Sequence, residues 1–112
     1  MSRRSGASVA HAAPLFAALG DETRLALVAR LCAGGPLSIT SLAAGAAVTR
    51  QAITKHLGVL AEAGLVRDVR RGRERIWELA PERVAIARRF LEGISQQWDA
   101  RLDRLRKLVE EE

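Results

Sequence analysis

Residues 48–66, VTRQAITKHLGVLAEAGLV, combine an apolar helical repeat with polar side chains gathered at one end. Ile53, Leu57 and Leu60 recur at the spacing of one helix face, which predicts an amphipathic helix with a buried stripe. Thr49 is a favoured N-cap residue, so the helix is expected to begin just after it. The polar side chains at this end are Thr49, Arg50, Gln51, Thr54, Lys55 and His56. The segment therefore predicts a helix with two surfaces, an inner face for packing and a polar N-terminal end.

The segments on either side predict the neighbours of this helix. Upstream, Asp21 is placed to cap a helix that residues 34–36 (Gly-Gly-Pro) end, and residues 37–45 favour a brief extended segment leading into a short helix. Downstream, Gly64 suits a helix C-terminus, and the alternation in residues 65–79 is typical of a β-hairpin. Two helices joined by a tight turn and followed by a hairpin form a winged helix-turn-helix. The predicted fold class is mainly α (α+β), with a β-hairpin wing and a long C-terminal helix.

The composition fits one domain with an anionic partner. The chain has 112 residues, of which 48% are hydrophobic, and its formal charge of +5 favours binding to nucleic acid. Cys32 is the only cysteine, which excludes an internal disulfide framework and a multi-cysteine metal site. A single thiol suits a reducing cytoplasm. Since no apolar run approaches the roughly 18 residues of a membrane span, we expect a cytoplasmic protein with no membrane partner.

The polar end of the central helix fits the major groove of double-stranded DNA. Arginine contacts guanine with two hydrogen bonds, and glutamine contacts adenine, so Arg50 and Gln51 are expected to contact bases. Thr54 and Lys55 suit bases or phosphates. For His56, a structural hydrogen bond or a phosphate contact is favoured over metal binding. An ordinary solvated helix face is the alternative, and the short helix before it and the hairpin after it argue against that alternative.

The hairpin carries five positive and two negative charges in the nine residues 67–75, RDVRRGRER. Such a charge density predicts a wing that contacts phosphates or the minor groove through Arg70, Arg71 and Arg73. Gly72 is free to adopt the positive φ that a tight turn requires. A solubilising edge strand protected by charge is the alternative.

Three regions follow from this pattern. Residues 1–13 are expected to be a flexible basic leader, because they contain two arginines and no signal-peptide core. Residues 14–80 are expected to form the DNA-binding domain, beginning with a short helix at Pro14. Residues 81–112 are expected to form one long helix that begins at Pro81 and serves in dimerisation.

The last helix carries an apolar seam that a small domain cannot bury along its full length. The seam residues, which repeat at heptad-like steps of three and four, are Leu91, Ile94, Trp98, Leu102, Leu105 and Val109. Together with Leu15, Phe16 and Leu19 of the first helix, this seam is expected to form a homodimer interface, with Trp98 contributing most. Packing within one chain is the alternative.

The second helix and the remaining reactive side chains predict no catalytic site. Leu25, Val28, Leu31 and Cys32 recur at helical spacing, so Cys32 is expected to be a core thiol rather than a redox sensor. No nucleophile–base pair, phosphate-cradling loop or paired-carboxylate motif stands out. We therefore expect neither an enzyme nor a cofactor.

Residues 14–92 resemble the ArsR family of bacterial winged-helix repressors. FAALGDETRLALVARL is similar to the opening of the family, and RRGRERIWEL is similar to its wing. The recognition-helix pattern of the family matches Thr49, Ile53, Thr54, His56, Leu57, Leu60, Ala63, Gly64 and Leu65. The resemblance implies a homodimer that binds an operator in double-stranded DNA and is released by a signal. The sequence leaves open whether there is an inducer at all and whether it would be a small molecule or a protein.

The chain departs from the family at both of its known metal sites. Ser38 and Thr40 stand where many members carry the thiolates of a Cys-x-Cys site, and hydroxyls hold such metals poorly. The last helix contains Asp99 and Asp103 but no histidine for the other site. We therefore expect no metal site by either route. The alternative function is a protein-interaction module that uses the helical seam and binds no specific DNA.

Overall fold

A computed structural model describes residues 8–111. In chain order the elements are α1 Val9–Leu19, α2 Glu22–Gly34, β1 Leu37–Ser38, α3 Ile39–Ala43, α4 Arg50–Glu62, β2 Val66–Arg71, β3 Glu74–Leu79 and α5 Pro81–Glu110. The predicted fold class is confirmed, because helices and one small antiparallel sheet make up a winged helix-turn-helix. None of the helices within residues 8–111 combines the length and the apolar composition that a bilayer crossing requires.

The first helix begins at Val9, so the predicted start at Pro14 was wrong. Ser8 caps it by accepting a hydrogen bond from the backbone N–H of His11 at 3.3 Å, and Pro14 lies inside the helix. The alanine-rich stretch before Pro14 favours a helix, and Ala12 is buried against the core. These gains outweigh the one hydrogen bond that Pro14 cannot donate. Of the predicted leader 1–13, residues 9–13 are therefore helical, and residues 1–7 lie outside the described residues.

The sheet has three strands in the order β1-β3-β2, all antiparallel. Strands β2 and β3 form the predicted hairpin, and Arg71 pairs with Glu74 across a two-residue turn. Gly72 begins that turn with a φ of 62°, as the sequence predicted. Strand β1 was expected only as an extended segment, and its pairing of Leu37 with Trp77 anchors the start of α3 to the hairpin.

The core lies between the helices and the inner face of the sheet. Its fully buried large side chains, each less than 2% exposed, are Leu15, Leu42, Ile53, Leu57, Leu60 and Leu65. In α2 the buried residues are Leu27 and Leu31, whereas Leu25 is 54% exposed and Cys32 is also exposed. The expectation of a core thiol was therefore wrong. The α2 sequence is apolar on several faces, so its periodicity alone did not identify the face that packs.

The long helix α5 extends well beyond the domain. Its 30 residues span about 45 Å at the usual helical rise, and the molecule measures 67 × 31 × 20 Å. Phe90 packs against Phe16 of α1, with ring centroids 6.0 Å apart. Beyond this contact the six predicted seam residues are all exposed, and Trp98 is 60% exposed. Packing among residues 8–111 does not cover the seam. Leu15, by contrast, is 0% exposed and belongs to the core, so its assignment to the dimer surface was wrong.

Candidate nucleic-acid interface

Helix α4 is fixed by its inner face and by both of its ends. Ile53, Leu57 and Leu60 are buried as predicted. At the start, the Thr49 hydroxyl accepts a hydrogen bond from the backbone N–H of Ala52 at 3.0 Å, which confirms the predicted N-cap. At the end, the Leu65 N–H donates to the Leu60 carbonyl at 3.0 Å, the outer bond of a Schellman motif.

Gly64 completes the end of α4 and turns the chain toward the hairpin. Its φ of 82° lies in the left-handed region, and its N–H donates to the Ala61 carbonyl at 2.9 Å. An added Cβ would come within 3.0 Å of Cγ of Arg83. The turn that places the wing next to the helix therefore depends on glycine for its conformation and for its space.

The polar cluster at the start of α4 faces solvent. Arg50, Gln51, Thr54 and Lys55 are all exposed. The Thr54 hydroxyl donates to the Arg50 carbonyl at 3.1 Å, so Thr54 offers a nucleic acid its lone pairs and its methyl group. The unpaired backbone N–H groups of a helix N-terminus add partial positive charge at the same end. This end of α4 is therefore suited to an anion and to hydrogen-bond acceptors.

His56 does not belong to the exposed cluster, although it is on the same helix. The Arg24 guanidinium donates to its Nδ1 at 3.2 Å, and a carboxylate oxygen of Asp21 lies 3.9 Å from the same atom. Its side chain is 23% exposed. Of the two roles expected for His56, the structure supplies the structural hydrogen bond, directed at α2 and the turn before it.

The five hairpin arginines fall into two groups. Arg67 pairs with Glu78 at 2.9 Å and with Glu82 at 3.5 Å, and Arg75 pairs with Asp68 at 2.7 Å. The remaining three, Arg70, Arg71 and Arg73, are exposed at the tip, and no ion pair within residues 8–111 involves them. The positive charge of the hairpin that is not held in ion pairs is therefore concentrated in the three arginines predicted to contact DNA.

The ion pairs along the hairpin shift the pKa of two of its side chains, Asp68 and Arg67. A hydrogen bond from Arg75 holds the pKa of Asp68 below its ordinary value, and the hydrogen bond to Glu78 raises the pKa of Arg67. Arg75 also lies over the Trp77 ring, 5.3 Å from its centroid. These contacts hold Arg67 and Arg75 in place along the strands and leave Arg70, Arg71 and Arg73 available.

Two arginines of α2 hold the helix-turn-helix in place, and neither was predicted from the sequence. Arg30 donates to the carbonyl oxygens of Leu42 at 3.0 Å and Ser41 at 3.1 Å, near the C-terminus of α3. Arg24 contacts His56 of α4. Both look like ordinary helix-surface arginines in the sequence, and no local pattern indicates their partners.

Ser38, one of the two hydroxyl residues at the family's thiolate positions, has a structural role. Its hydroxyl caps α3 by accepting from the backbone N–H of Ser41 at 3.1 Å. Across residues 8–111, no group of three histidine, cysteine, aspartate or glutamate side chains is placed to hold a metal ion.

Comparison with known proteins gives consistent matches over most of the chain. Residues 19–69 match a family model described as a helix-turn-helix domain. The chain is 39% identical over 95 residues to the HTH-type transcriptional regulator Rv2034 of Mycobacterium tuberculosis, covering 85% of each protein. It is 30% identical over 95 residues to the arsenical resistance operon repressor of Escherichia coli, covering 85% of this chain and 79% of that protein.

A solved structure gives the same result. The chain is similar to an ArsR-like transcriptional regulator from Rhodococcus sp. RHA1, with a TM-score of 0.71 and 39% identity. The similarity covers 88% of this chain and 92% of that one. The similarity therefore includes part of α5 as well as the helix-turn-helix.

Proposed function

The chain belongs to the ArsR family of winged helix-turn-helix transcriptional regulators, and from this premise we propose that it is a homodimeric repressor of a palindromic DNA operator. It is a regulator and not an enzyme, as expected. The observation that carries the proposal is the pairing of two exposed surfaces. One is the start of α4, with Arg50 and Gln51, and the other is the wing tip, with three arginines outside the ion pairs of residues 8–111.

In this proposal α4 is the recognition helix. Its N-terminal turns enter the major groove, where Arg50 and Gln51 contact base edges and Lys55 contacts a base or a phosphate. The buried stripe and the two capped ends support this role, because a helix that contacts bases must hold its side chains in fixed positions. Base contacts there supply the sequence information.

The wing supplies affinity that does not depend on sequence. Arg70, Arg71 and Arg73 contact phosphates or enter the minor groove beside the α4 site. Arg67 and Arg75 do not share this role, because nearby carboxylates already compensate their charge. In this proposal the DNA-binding region is the predicted range 14–80, extended at its start to Val9 because α1 begins there.

The exposed seam of α5 supports dimerisation through residues 81–112. Six large apolar side chains along one helix would be unusual on a monomer surface, and a second copy of the chain covers them best. On α1, Phe16 and Leu19 are half-buried against the core, and Phe16 also packs against Phe90 of α5. A two-fold axis then relates two recognition helices, so the operator has two inverted half-sites about one helical turn apart.

Repression and release are the finer parts of the proposal. The name of the Escherichia coli relative states that it is a repressor, and a dimer that covers an operator blocks other proteins from it. Neither known metal site of the family is complete here, because Ser38 serves as a helix cap and α5 has no histidine. We infer that release depends on an inducer, a small molecule or a protein, that binds at a site other than these two. We also infer that the protein is cytoplasmic.

A protein-interaction module is the second candidate, and the exposed α5 seam is the observation that favours it. The two candidates differ in their use of the arginines. A DNA-binding protein loses affinity for random duplex DNA steeply as salt rises, because each phosphate contact releases counterions. For an interaction module, we expect no such dependence of DNA affinity on salt concentration.

The experiment that tests the proposal is selection from a randomised duplex library, followed by native mass measurement of the complex. We expect an enriched inverted repeat bound by two chains per duplex. A saturated complex with one chain per duplex, or no enrichment, would contradict the proposal.

A further inference from the structure

One arginine of α2 joins three helices by hydrogen bonds. The backbone N–H of Arg24 donates to the Asp21 carboxylate at 3.0 Å, which fixes the start of its own helix. Its Nε donates to the carbonyl oxygen of Ala18, near the end of α1, at 2.6 Å. Its terminal Nη1 donates to Nδ1 of His56, in the middle of α4, at 3.2 Å. A single side chain therefore connects the end of α1 with the recognition helix.

The contact with His56 constrains α4 in a way that its apolar stripe does not. Apolar contacts are non-directional, so the buried stripe packs α4 on the core without tying it to one particular side chain of α2. A hydrogen bond loses strength quickly when its length or angle changes. Because His56 directly follows Thr54 and Lys55 on the same rigid helix, holding its ring also holds the exposed cluster.

The other end of the contact lies on a buried part of the domain. Ala18 is 4% exposed and belongs to the core cluster. Two residues earlier, Phe16 packs against Phe90 of α5, the helix proposed to form the dimer. Arg24 thus links the orientation of α4 to α1 and, through α1, to α5. In a dimer formed by α5, this link would set the angle between the two recognition helices.

We propose that Arg24 is a positioning residue for DNA recognition, which acts through His56 to set the angle at which α4 presents Arg50 and Gln51. Neither Arg24 nor His56 contacts DNA in this role. The proposal rests on the DNA-binding function proposed above. Loss of the link misaligns base contacts and leaves the phosphate contacts of the wing unaffected, so it reduces the preference for one sequence over another.

Two substitutions of His56 separate positioning from simple stabilisation. In His56→Asn the side-chain carbonyl oxygen occupies a δ position, so it still accepts from Arg24. In His56→Leu the volume is kept and the acceptor is lost. Leucine favours a helix more than asparagine does, so stability alone predicts that the leucine variant performs better.

The binding measurement uses the duplex that the wild type enriches from a random library and a shuffled duplex of the same composition. We expect His56→Asn to bind the enriched duplex nearly as the wild type does, and His56→Leu to bind it about tenfold more weakly, the equivalent of one misaligned base contact. Both variants should bind the shuffled duplex equally. Equal binding of the enriched duplex by the two variants would overturn the proposal.

A double-substitution cycle then tests whether the two residues act as one unit. Arg24→Gln should also weaken binding to the enriched duplex by about tenfold. In the Arg24→Gln background, asparagine and leucine at position 56 should bind alike, because the contact they differ in is already gone. Additive losses would mean that each residue contacts DNA independently, which contradicts a positioning role.

The orientation of α4 is measured without DNA by residual dipolar couplings of its backbone amides relative to those of β2 and β3. We expect the couplings of α4 to change in Arg24→Gln and His56→Leu and to stay as in the wild type in His56→Asn. Unchanged couplings in all three variants would overturn the proposal. If the wild type enriches no duplex, the proposed function fails, and the couplings still decide whether Arg24 orients α4.

Discussion

At the scale of single residues, the glycines of the chain differ in what they contribute. Gly64 has a φ of 82° and faces the Arg83 side chain at close range. Gly58 lies inside α4 with open space where its Cβ would be. The first position requires glycine, whereas at the second glycine only adds conformational freedom to the unfolded chain.

Gly64→Ala should therefore destabilise the domain. Left-handed backbone at a residue with a Cβ costs about 1 to 2 kcal/mol, and displacement of Arg83 adds to that cost. Urea unfolding monitored by circular dichroism measures the difference. The matched control is Gly58→Ala, which should stabilise the domain by up to about 1 kcal/mol. Equal stability of the two variants would show that the Schellman turn is not needed.

At the scale of secondary-structure elements, short polar contacts fix where the helices begin and how they point. Asp21 caps α2 by accepting from the Arg24 N–H, and this hydrogen bond holds the pKa of Asp21 below its ordinary value of 3.8. A carboxyl group with a lowered pKa in the folded state stabilises the fold above its ordinary pKa. That stabilisation is lost as the pH falls from about 3.8 through the folded-state pKa.

Asp21→Asn should make the loss of folding stability at acidic pH smaller. Asparagine caps helices as well as aspartate does, so stability at neutral pH should change little, while the fall below the ordinary pKa of aspartate should become smaller. Thermal unfolding over a pH series measures both. Asp99→Asn, an exposed change on α5, is the control and should leave the curve unchanged. If the variant loses as much stability at acidic pH as the wild type does, that loss comes from other carboxylates such as Asp68.

The recognition helix and the wing should respond differently to substitution. Gln51→Ala should weaken binding mainly to the enriched duplex, by about 1 to 3 kcal/mol, because a base-edge contact carries sequence information. Arg71→Ala should weaken binding to enriched and shuffled duplexes alike. It should also reduce the logarithmic salt slope by about one unit, since one phosphate contact is lost.

Gel-shift titrations over a salt series measure these effects, with Arg67→Ala as the control for the hairpin. Arg67 is engaged by Glu78 and Glu82, so its removal should leave the slope nearly unchanged. An unchanged slope for Arg71→Ala would show that the hairpin does not contact DNA. Equal losses on both duplexes for Gln51→Ala would assign Gln51 to a phosphate.

At the scale of the whole molecule, the domain is compact at one end and consists of a bare helix at the other. Trp77 is 4% exposed in the core, whereas Trp98 is 60% exposed on the α5 seam. The packing of residues 8–111 leaves Trp98 exposed to solvent. This asymmetry supports the proposal that α5 dimerises.

Trp98→Ala should weaken the dimer without unfolding the domain. Truncation of a large side chain at the centre of an interface often costs about 2 to 4 kcal/mol of association free energy. Analytical ultracentrifugation over a concentration series measures the change. Arg101→Ala, also exposed on α5 but outside the seam, is the control. An unchanged dimer with lower thermal stability would place Trp98 in a structural role within the chain.

Zn²⁺, Cd²⁺ and arsenite should change the affinity for the enriched duplex by less than about tenfold, because hydroxyl groups replace thiolates at Ser38 and Thr40. Gel shifts at stoichiometric metal measure this, and EDTA-treated protein is the control. A larger loss of binding would require a metal site built from other side chains, for example one that two copies of the chain form together.

The sequence by itself determined the parts of this protein that depend on neighbouring residues. The buried stripe and both ends of α4, the turn at Gly72 and the start of α5 at Pro81 all follow from spacing and from backbone preferences of single residues. The polar cluster at Arg50 and the charge of the hairpin were visible for the same reason.

The tertiary structure decided what depends on partners far away in the chain. Local preference predicted that α1 begins at Pro14, but burial of Ala12 favours a helix that begins earlier, at Val9. Packing selected Leu27 over Leu25 on a helix with several apolar faces. Pairing between strands chose which hairpin arginines are compensated, and Arg24 and His56 meet although 32 positions separate them. Such contacts arise from the arrangement of whole elements in space, and local periodicity contains no information about that arrangement.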